Sequence, residues 1–272
     1  MRDLNEANDI IMKYLRLDTH PLAVKFVSSD GGFPDRARKI GDLGIKIALC
    51  QATSIARRFG WIIAVSPADI NCASGLLGFG WGELASGLNR EEELANFMVT
   101  SGYIKDSERA KKTIEALPLL KDEHASRYSG LVISPLKCNA TESVDTVLMY
   151  GNAAQLSRMI QSYVYIMGGT VKSESNVGLS CVAEMIQPMV EQTARYVIPG
   201  RGERSLGMAG NDEVVFALPG EQLDDFLTGL RETHKAGSRY PIIQYLFFEP
   251  VYTPAIMEFR DKIQIRGAGS KE

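Results

Sequence analysis

Four cysteines, Cys50, Cys72, Cys138 and Cys181, are the residues of this chain best suited to chemistry. None forms a C-x-x-C pair, so neither a zinc ribbon nor a thioredoxin motif is present. Two occupy settings that expose backbone N–H groups and favour the thiolate. Cys50 opens the basic helix ALCQATSIARRFG, and Cys72 starts the glycine-dense turn NCASGLLGFGWG. Thiolates are the soft ligands that iron–sulfur clusters need, with zinc as the runner-up. One reading is that these cysteines converge on a metal centre. The other is that each is a small buried hydrophobe. Three thiolates would leave one iron open to water, substrate or a non-thiol ligand, an arrangement suited to Lewis-acid chemistry.

Other residues could serve such a centre. Lys25 lies in PLAVKFV, sharing a strand face with Ala23 and Val27, while Leu22, Val24 and Phe26 take the other face. It reads either as a lysine contacting an anion or cofactor, or as an edge-strand lysine that discourages aggregation. Gly75, Gly78, Gly80 and Gly82 follow Cys72 and permit close backbone approach to a ligand; a tight turn with a helix-packing seam is the plainer alternative. Arg201 and Arg204, flanked by Gly200 and Gly202, suit a carboxylate or phosphate, or else a solvated turn with Arg204 paired to Glu203. His20 and His124 fall in loops, and His234 ends a helix. No Gly-Lys-Ser/Thr P-loop, GxGxxG, H-E-x-x-H or GxSxG occurs, so a P-loop nucleotide site, a zinc peptidase and a serine hydrolase find no support.

The elements that must position these residues alternate. Residues 3–16 carry apolar side chains at helical spacing, and Pro21–Val27 is extended. A glycine- and charge-rich loop (30–44) precedes the Cys50 helix. Trp61–Val65 is a second strand, helices over 90–101 and 106–116 have caps at Asn89 and Asp106, and Leu131–Ile133 is a third strand. Residues 144–156 and 211–223 align as two strand–turn–helix copies, a duplicated β–α unit in the second half. The expected fold is a layered α/β or α+β domain over residues 1–234. Residues 235–272 read as a C-terminal extension, whose 241–257 stretch, PIIQYLFFEPVYTPAIM, would be an extended or broken packing arm or homodimer interface.

Composition limits the partners. With 272 residues, 45% of them hydrophobic, the chain can bury one large core or two modest ones. A net charge of −3 supplies no basic field for nucleic acid or anionic lipid. WIIAV and similar apolar runs are too short to span a bilayer, and the N-terminal MRDLNEANDIIMKYL reads as an amphipathic helix rather than a leader. Four scattered thiols point to a reducing cytoplasm.

Several segments together resemble a family of bacterial and archaeal proteins known as domain of unknown function 169. They are HPLAVKF (20–26), LCQATSIARRFG (49–60), NCASGLLGFG (71–80), SPL (134–136), GNAAQLSRMIQSYVY (151–165), GLSCVAEMI (178–186) and GRGER (200–204). The resemblance spans roughly residues 5–233. It implies family cysteines at Cys50, Cys72 and Cys181 and a fourth beside the Gly-acid-Arg signature, where this chain has Gly200 instead. Cys138 falls where the family has none, so either it replaces the missing ligand or the centre has three protein thiolates. The resulting expectation is a cytoplasmic, homo-oligomeric protein with a Cys-ligated iron–sulfur centre (4Fe-4S) in redox or ligand-handling anaerobic metabolism. Lys25, Gly75, Arg201 and Arg204 would contact a small anionic ligand, and a redox partner protein is implied. A lyase or hydratase using an open iron, and an accessory or scaffold subunit with core cysteines, are the alternatives.

Overall fold

The computed structural model describes residues 3–82, 84, 87–117, 119–120, 126–138, 140–141, 143–173, 175, 178–244 and 250–263. Helices form where apolar periodicity meets a polar cap. In α1 (Leu4–Leu15) the Asp3 carboxylate accepts from the N–H groups of Asn5 and Glu6, and the helix stops at Arg16 with φ 52°. The expected caps at Asn89 and Asp106 start α4 (Arg90–Thr100) and α5 (Ser107–Glu115). Among the described residues the remaining α-helices are α2 (Leu49–Phe59), α3 (Ala73–Gly78), α6 (Ala153–Met167), α7 (Ser180–Glu191), α8 (Arg201–Ser205), α9 (Leu223–Lys235) and α10 (Pro254–Asp261).

Eight strands among the described residues form one mixed sheet: β1 (Leu22–Ser28), β2 (Arg38–Lys39), β3 (Ile63–Val65), β4 (Tyr128–Pro135), β5 (Thr146–Gly151), β6 (Lys172–Ser173), β7 (Arg195–Val197) and β8 (Val214–Pro219). Their order is β2-β3-β4-β1-β5-β8-β7-β6. This is the expected α/β class. The loop expected over 30–44 also holds β2 and a 3-10 turn, elements too short for a periodic signal.

The order reads the same from its centre outwards. β1 pairs antiparallel with β4, β4 with β3, and β3 runs parallel to β2; β5, β8, β7 and β6 repeat that pattern. The registers agree residue by residue. Leu22 faces Pro135 and Thr146 faces Pro219; Ile63 faces Ile133 and Arg195 faces Ala217; Arg38 faces Ile63 and Lys172 faces Arg195. After each proline a 3-10 turn begins, tied by Leu136 N–H to the Pro21 carbonyl and by Gly220 N–H to the Asp145 carbonyl. The β1–β5 pairing, Leu22 with Leu148 and Val24 with Thr146, closes the relation as a pseudo-two-fold axis between the halves. The two β–α copies read from the sequence are β5–α6 and β8–α9, neighbours in the sheet; the larger repeat instead matches β5 to β1 and β8 to β4.

Alternate side chains of each strand feed two cores. Leu22, Val24, Phe26, Ile63, Ile133, Leu148, Tyr150 and Val215 face α2, α3, α4 and α7. Ala23, Val147, Met149, Phe216 and Leu218 face α1, α6 and α9. Helices α6 and α9 approach so closely that a Cβ on Gly229 would lie 1.9 Å from the Ser162 carbonyl oxygen, which restricts that position to glycine.

Residues 242–272 form a second unit. Its helix α10 takes Pro254 in the first turn, where proline is tolerated, and Ile243, Val251 and Phe259 are exposed. Tyr245, Leu246, Phe247 and Phe248 of the expected arm lie outside the described residues. No helix among the described residues is long and apolar enough to cross a membrane.

Candidate functional site

Three cysteines come from three first turns or caps on one face of the sheet. Cys50 is the second residue of α2, Cys181 the second of α7, and Cys72 caps α3. All are free thiols. Leu179, in the left-handed region at φ 62°, turns the chain into α7, a conformation that strains a non-glycine residue by roughly 1–2 kcal/mol. The Cys50 thiol lies 3.6 Å from the Gly202 carbonyl of α8 and can donate to it. A Cβ at Gly207 would meet the Cys50 carbonyl oxygen at 2.7 Å and the Cys50 Cβ at 3.0 Å, so the loop after α8 packs directly on Cys50.

Two buried acids join them. Glu184, one turn beyond Cys181, is 0% exposed, and Glu203 of α8 is 3% exposed. Burial, and then the neighbouring Glu203 carboxyl, hold the Glu184 carboxyl well above the usual carboxylate range. Tyr150 of β5 donates at 3.0 Å to Glu203 Oε1 and lies 3.4 Å from Glu184 Oε2. Glu184 Oε1 and Glu203 Oε2 are buried without a hydrogen-bond partner. Arg57, 1% exposed, is the buried cation beside them: its guanidinium carbon stands 4.0 Å over the Tyr150 ring. Its charge is already engaged by Glu213, through Nη1–Oε1 at 2.7 Å and Nη2–Oε2 at 2.9 Å.

Burial decides the electrostatics. It pushes the Cys50 thiol up to about 12, with further pressure from Glu203, Cys72 and Glu184. Burial also raises Cys181 well above an ordinary thiol, aided by Cys72, Glu184, Cys50 and Glu203. Glu184 is raised first by burial and then by Glu203. The three thiols and two acids thus share one electrostatic neighbourhood. Helix-start amides do not lower the Cys50 pKa as the sequence suggests, because desolvation outweighs them. Among the described residues no group of three or more His, Cys, Asp or Glu stands at metal-holding distances. The thiols are soft donors and the orphaned carboxyl oxygens harder ones.

The other expected site residues lie elsewhere or serve the scaffold. Cys138 ends the 3-10 turn after β4, beside Leu136, which packs with α1 on the opposite face. Lys25 is on the central strand β1, not on an edge, and its ammonium meets Asp145 at 2.8 Å. Its side chain shares the face of Ala23, away from the thiols. Gly75 packs on the Cys72 sulfur, whereas Gly78 forms the seam where a Cβ would strike Val182 at 2.6 Å. Arg204 does not pair with Glu203; its guanidinium holds the Pro199 and Gly210 carbonyls, and Arg201 is exposed. His124 lies outside the described residues.

Sequence reasoning passed over Arg57, Tyr150, Glu184, Glu203 and Glu213. One signal was available for Glu184, a lone acid in the apolar run SCVAEMI one helical turn after Cys181. An open cleft of about 830 Å³, bounded by Trp81, Asn89, Arg90, Ser126 and Tyr128, holds none of the cysteines. Its one acid among the described residues is Glu91.

The family model described as DUF169, Uncharacterised ArCR, matches residues 10–229, which include all three clustered cysteines and both buried acids. The chain belongs to that family. An uncharacterized protein, MJ0308, from Methanocaldococcus jannaschii is 25% identical over 238 residues, covering 84% of this chain and 95% of that relative. No solved structure matches. Membership in the family therefore supports the shared architecture and carries no activity with it.

Proposed function

We propose that the protein holds a Cys-ligated iron–sulfur centre, a 4Fe-4S cluster, on Cys50, Cys72 and Cys181, and uses it for electron transfer or ligand handling in anaerobic metabolism. The observation that carries this reading is the buried donor set. Three free thiols from separate elements share an interior with Glu184 and Glu203, each of which keeps a buried oxygen without a hydrogen-bond partner while the nearby Arg57 is held by Glu213. A bound cation would remove that burial penalty and draw the thiols into their thiolate form. Four free cysteines fit a reducing cytoplasm as the location.

The buried Glu184 carboxyl, raised by burial and by Glu203, with the Tyr150 hydroxyl beside both acids, favours one second reading. An acid–base group next to an open iron is what a lyase or hydratase requires. Anaerobic purification tests the centre. Iron and acid-labile sulfide, with visible absorption lost on oxidation, are expected; zinc without sulfide would point to the runner-up metal. Protein with neither metal, whose four thiols alkylate freely while folded, is an accessory protein with core cysteines, and the proposal fails. The same reading takes the protein as a two-fold homodimer with residues 241–257 at the interface, because that unit leaves Ile242, Ile243, Tyr252 and Met257 exposed. Light scattering of the full chain and of one stopped at His234 tests it; a full-length monomer removes the proposal.

A further inference from the structure

We propose that a small pocket beside the last turns of α1 and α2 binds a short-chain monocarboxylate, held by Thr19, His20 and Arg58. This site is independent of the metal centre proposed above. The loop from α1 to β1 and the end of α2 enclose about 210 Å³, lined by Met12, Asp18, Thr19, His20, Arg57 and Arg58. The backbone ties the two walls together, since the His20 N–H donates to the Arg57 carbonyl at 3.1 Å. A water takes about 30 Å³ of liquid, so the space equals about seven waters. That is more than a bare ion fills and suits a small organic molecule.

The lining is rich in donors. Arg57, 1% exposed, closes the inner wall with both terminal nitrogens held by Glu213. Its Nη1 also donates to the Thr19 hydroxyl at 3.2 Å. With its oxygen accepting, that hydroxyl has its own proton to give to a ligand. Arg58 stands 3.9 Å from Glu213, beyond hydrogen-bond distance, and gives one N–H to the Met208 carbonyl at 2.6 Å. A guanidinium carries five N–H donors, so Arg58 has others to offer. His20 Nδ1 is buried without a hydrogen-bond partner. A hydroxyl, an imidazole and a guanidinium thus line one cavity, and an oxyanion is the ligand that satisfies all three. Asp18 sets the limit on its charge, because a carboxylate in the wall repels a dianion more than a monoanion. Met12 adds an apolar surface for a short hydrocarbon tail. Burial, and then Lys137, hold the His20 imidazole below its usual range, and a carboxylate beside it would raise that value again.

Nuclear magnetic resonance of the His20 imidazole in the full chain tests the site. Sodium propionate, sodium sulfate and sodium chloride are added at equal ionic strength. The chain has three histidines, and His20→Asn identifies the signal. Propionate should give a saturable shift in the millimolar range and raise the His20 pKa. Chloride should give none, and sulfate should bind about tenfold more weakly or less. Arg58→Gln should weaken propionate binding by about tenfold or more, and Thr19→Val by about fivefold, read through the same signal. No saturable shift with propionate, sulfate bound as tightly, or unchanged affinity in either variant would overturn the proposal. Should Arg58→Gln fail to fold, Thr19→Val, which keeps the side chain's size, decides. Iron and sulfide content, measured separately, tells a failure of this site from a failure of the metal centre.

Discussion

The two halves of the sheet share strand order and register, yet they furnish the site differently. The first, β1 to β4, contributes two thiols and Arg57, the buried cation beside Tyr150. The second, β5 to β8, contributes one thiol, both buried acids and Tyr150. At the ninth position of α2 stands Arg57; at the ninth of α7 stands Pro188. The backbone repeat is thus a frame set by strand pairing, and the chemistry comes from where the side chains depart from the repeat. Opposite charges divided between the halves also bind them together, since Arg57 of the first is held by Glu213 of the second.

Breaking that cross-half pair should have the largest effect. Arg57→Met leaves Glu213 part-buried beside an apolar stem and should cost about 3–5 kcal/mol in urea unfolding; a loss below about 1 kcal/mol would show that this pair does not join the halves. Next, Cys72→Ser should lose most of the bound metal and Cys138→Ser none, measured as iron per chain. Equal losses would join Cys138 to the shell and break the assignment by halves.

The pH dependence of metal-free, reduced protein gives a smaller, graded effect. The folded Cys50 thiol is raised to about 12, above the value of an unfolded thiol near 8.5. Its contribution is therefore complete below the unfolded pKa and lost as pH rises toward 12. Unfolding free energy should fall by about 1.4 kcal/mol per pH unit for each such thiol above pH ~9. Cys50→Ser should remove one thiol's share of that slope; an unchanged slope would show that Cys50 does not stay protonated on folding. The smallest effect should come from Lys25→Met, which installs the residue found at the matching position of β5, Met149. The Lys25–Asp145 pair is part-exposed, at 30% and 21%, so about 1 kcal/mol or less is at stake, and metal content should not change. Metal loss on this substitution would place Lys25 within the centre's influence across the sheet.

Apolar periodicity and capping residues made α1, α4 and α5 legible, because both signals are local. Cys50, Cys72 and Cys181 stood out through their settings and the family pattern. Glu203 did not, since GRGERS reads as a polar turn and only the fold buries it under Tyr150. The larger repeat was hidden for a similar reason. Strand pairing conserves register without demanding the same side chains: Leu136 and Gly220 fill the same hydrogen-bonded place, and a Cβ on Gly220 would lie 1.8 Å from the Val144 carbonyl oxygen. The sequence leaves Lys25 open between an anion contact and an edge strand, because it does not say which strand is central.

The central place of β1 bears on synthesis. Its partners, β4 and β5, lie more than a hundred residues downstream, as the Lys25–Val132 and Ala23–Val147 pairings show. During translation the first half can close β1 against β4 while the other edge of β1 still waits for β5. That bare edge carries Leu22, Ala23 and Val24, an open template for a neighbouring nascent chain. A released fragment of residues 1–141, which holds β4 but not β5, should therefore cross-link to its own copies more than the full chain does, and equal cross-linking would mean that the edge is covered from the start.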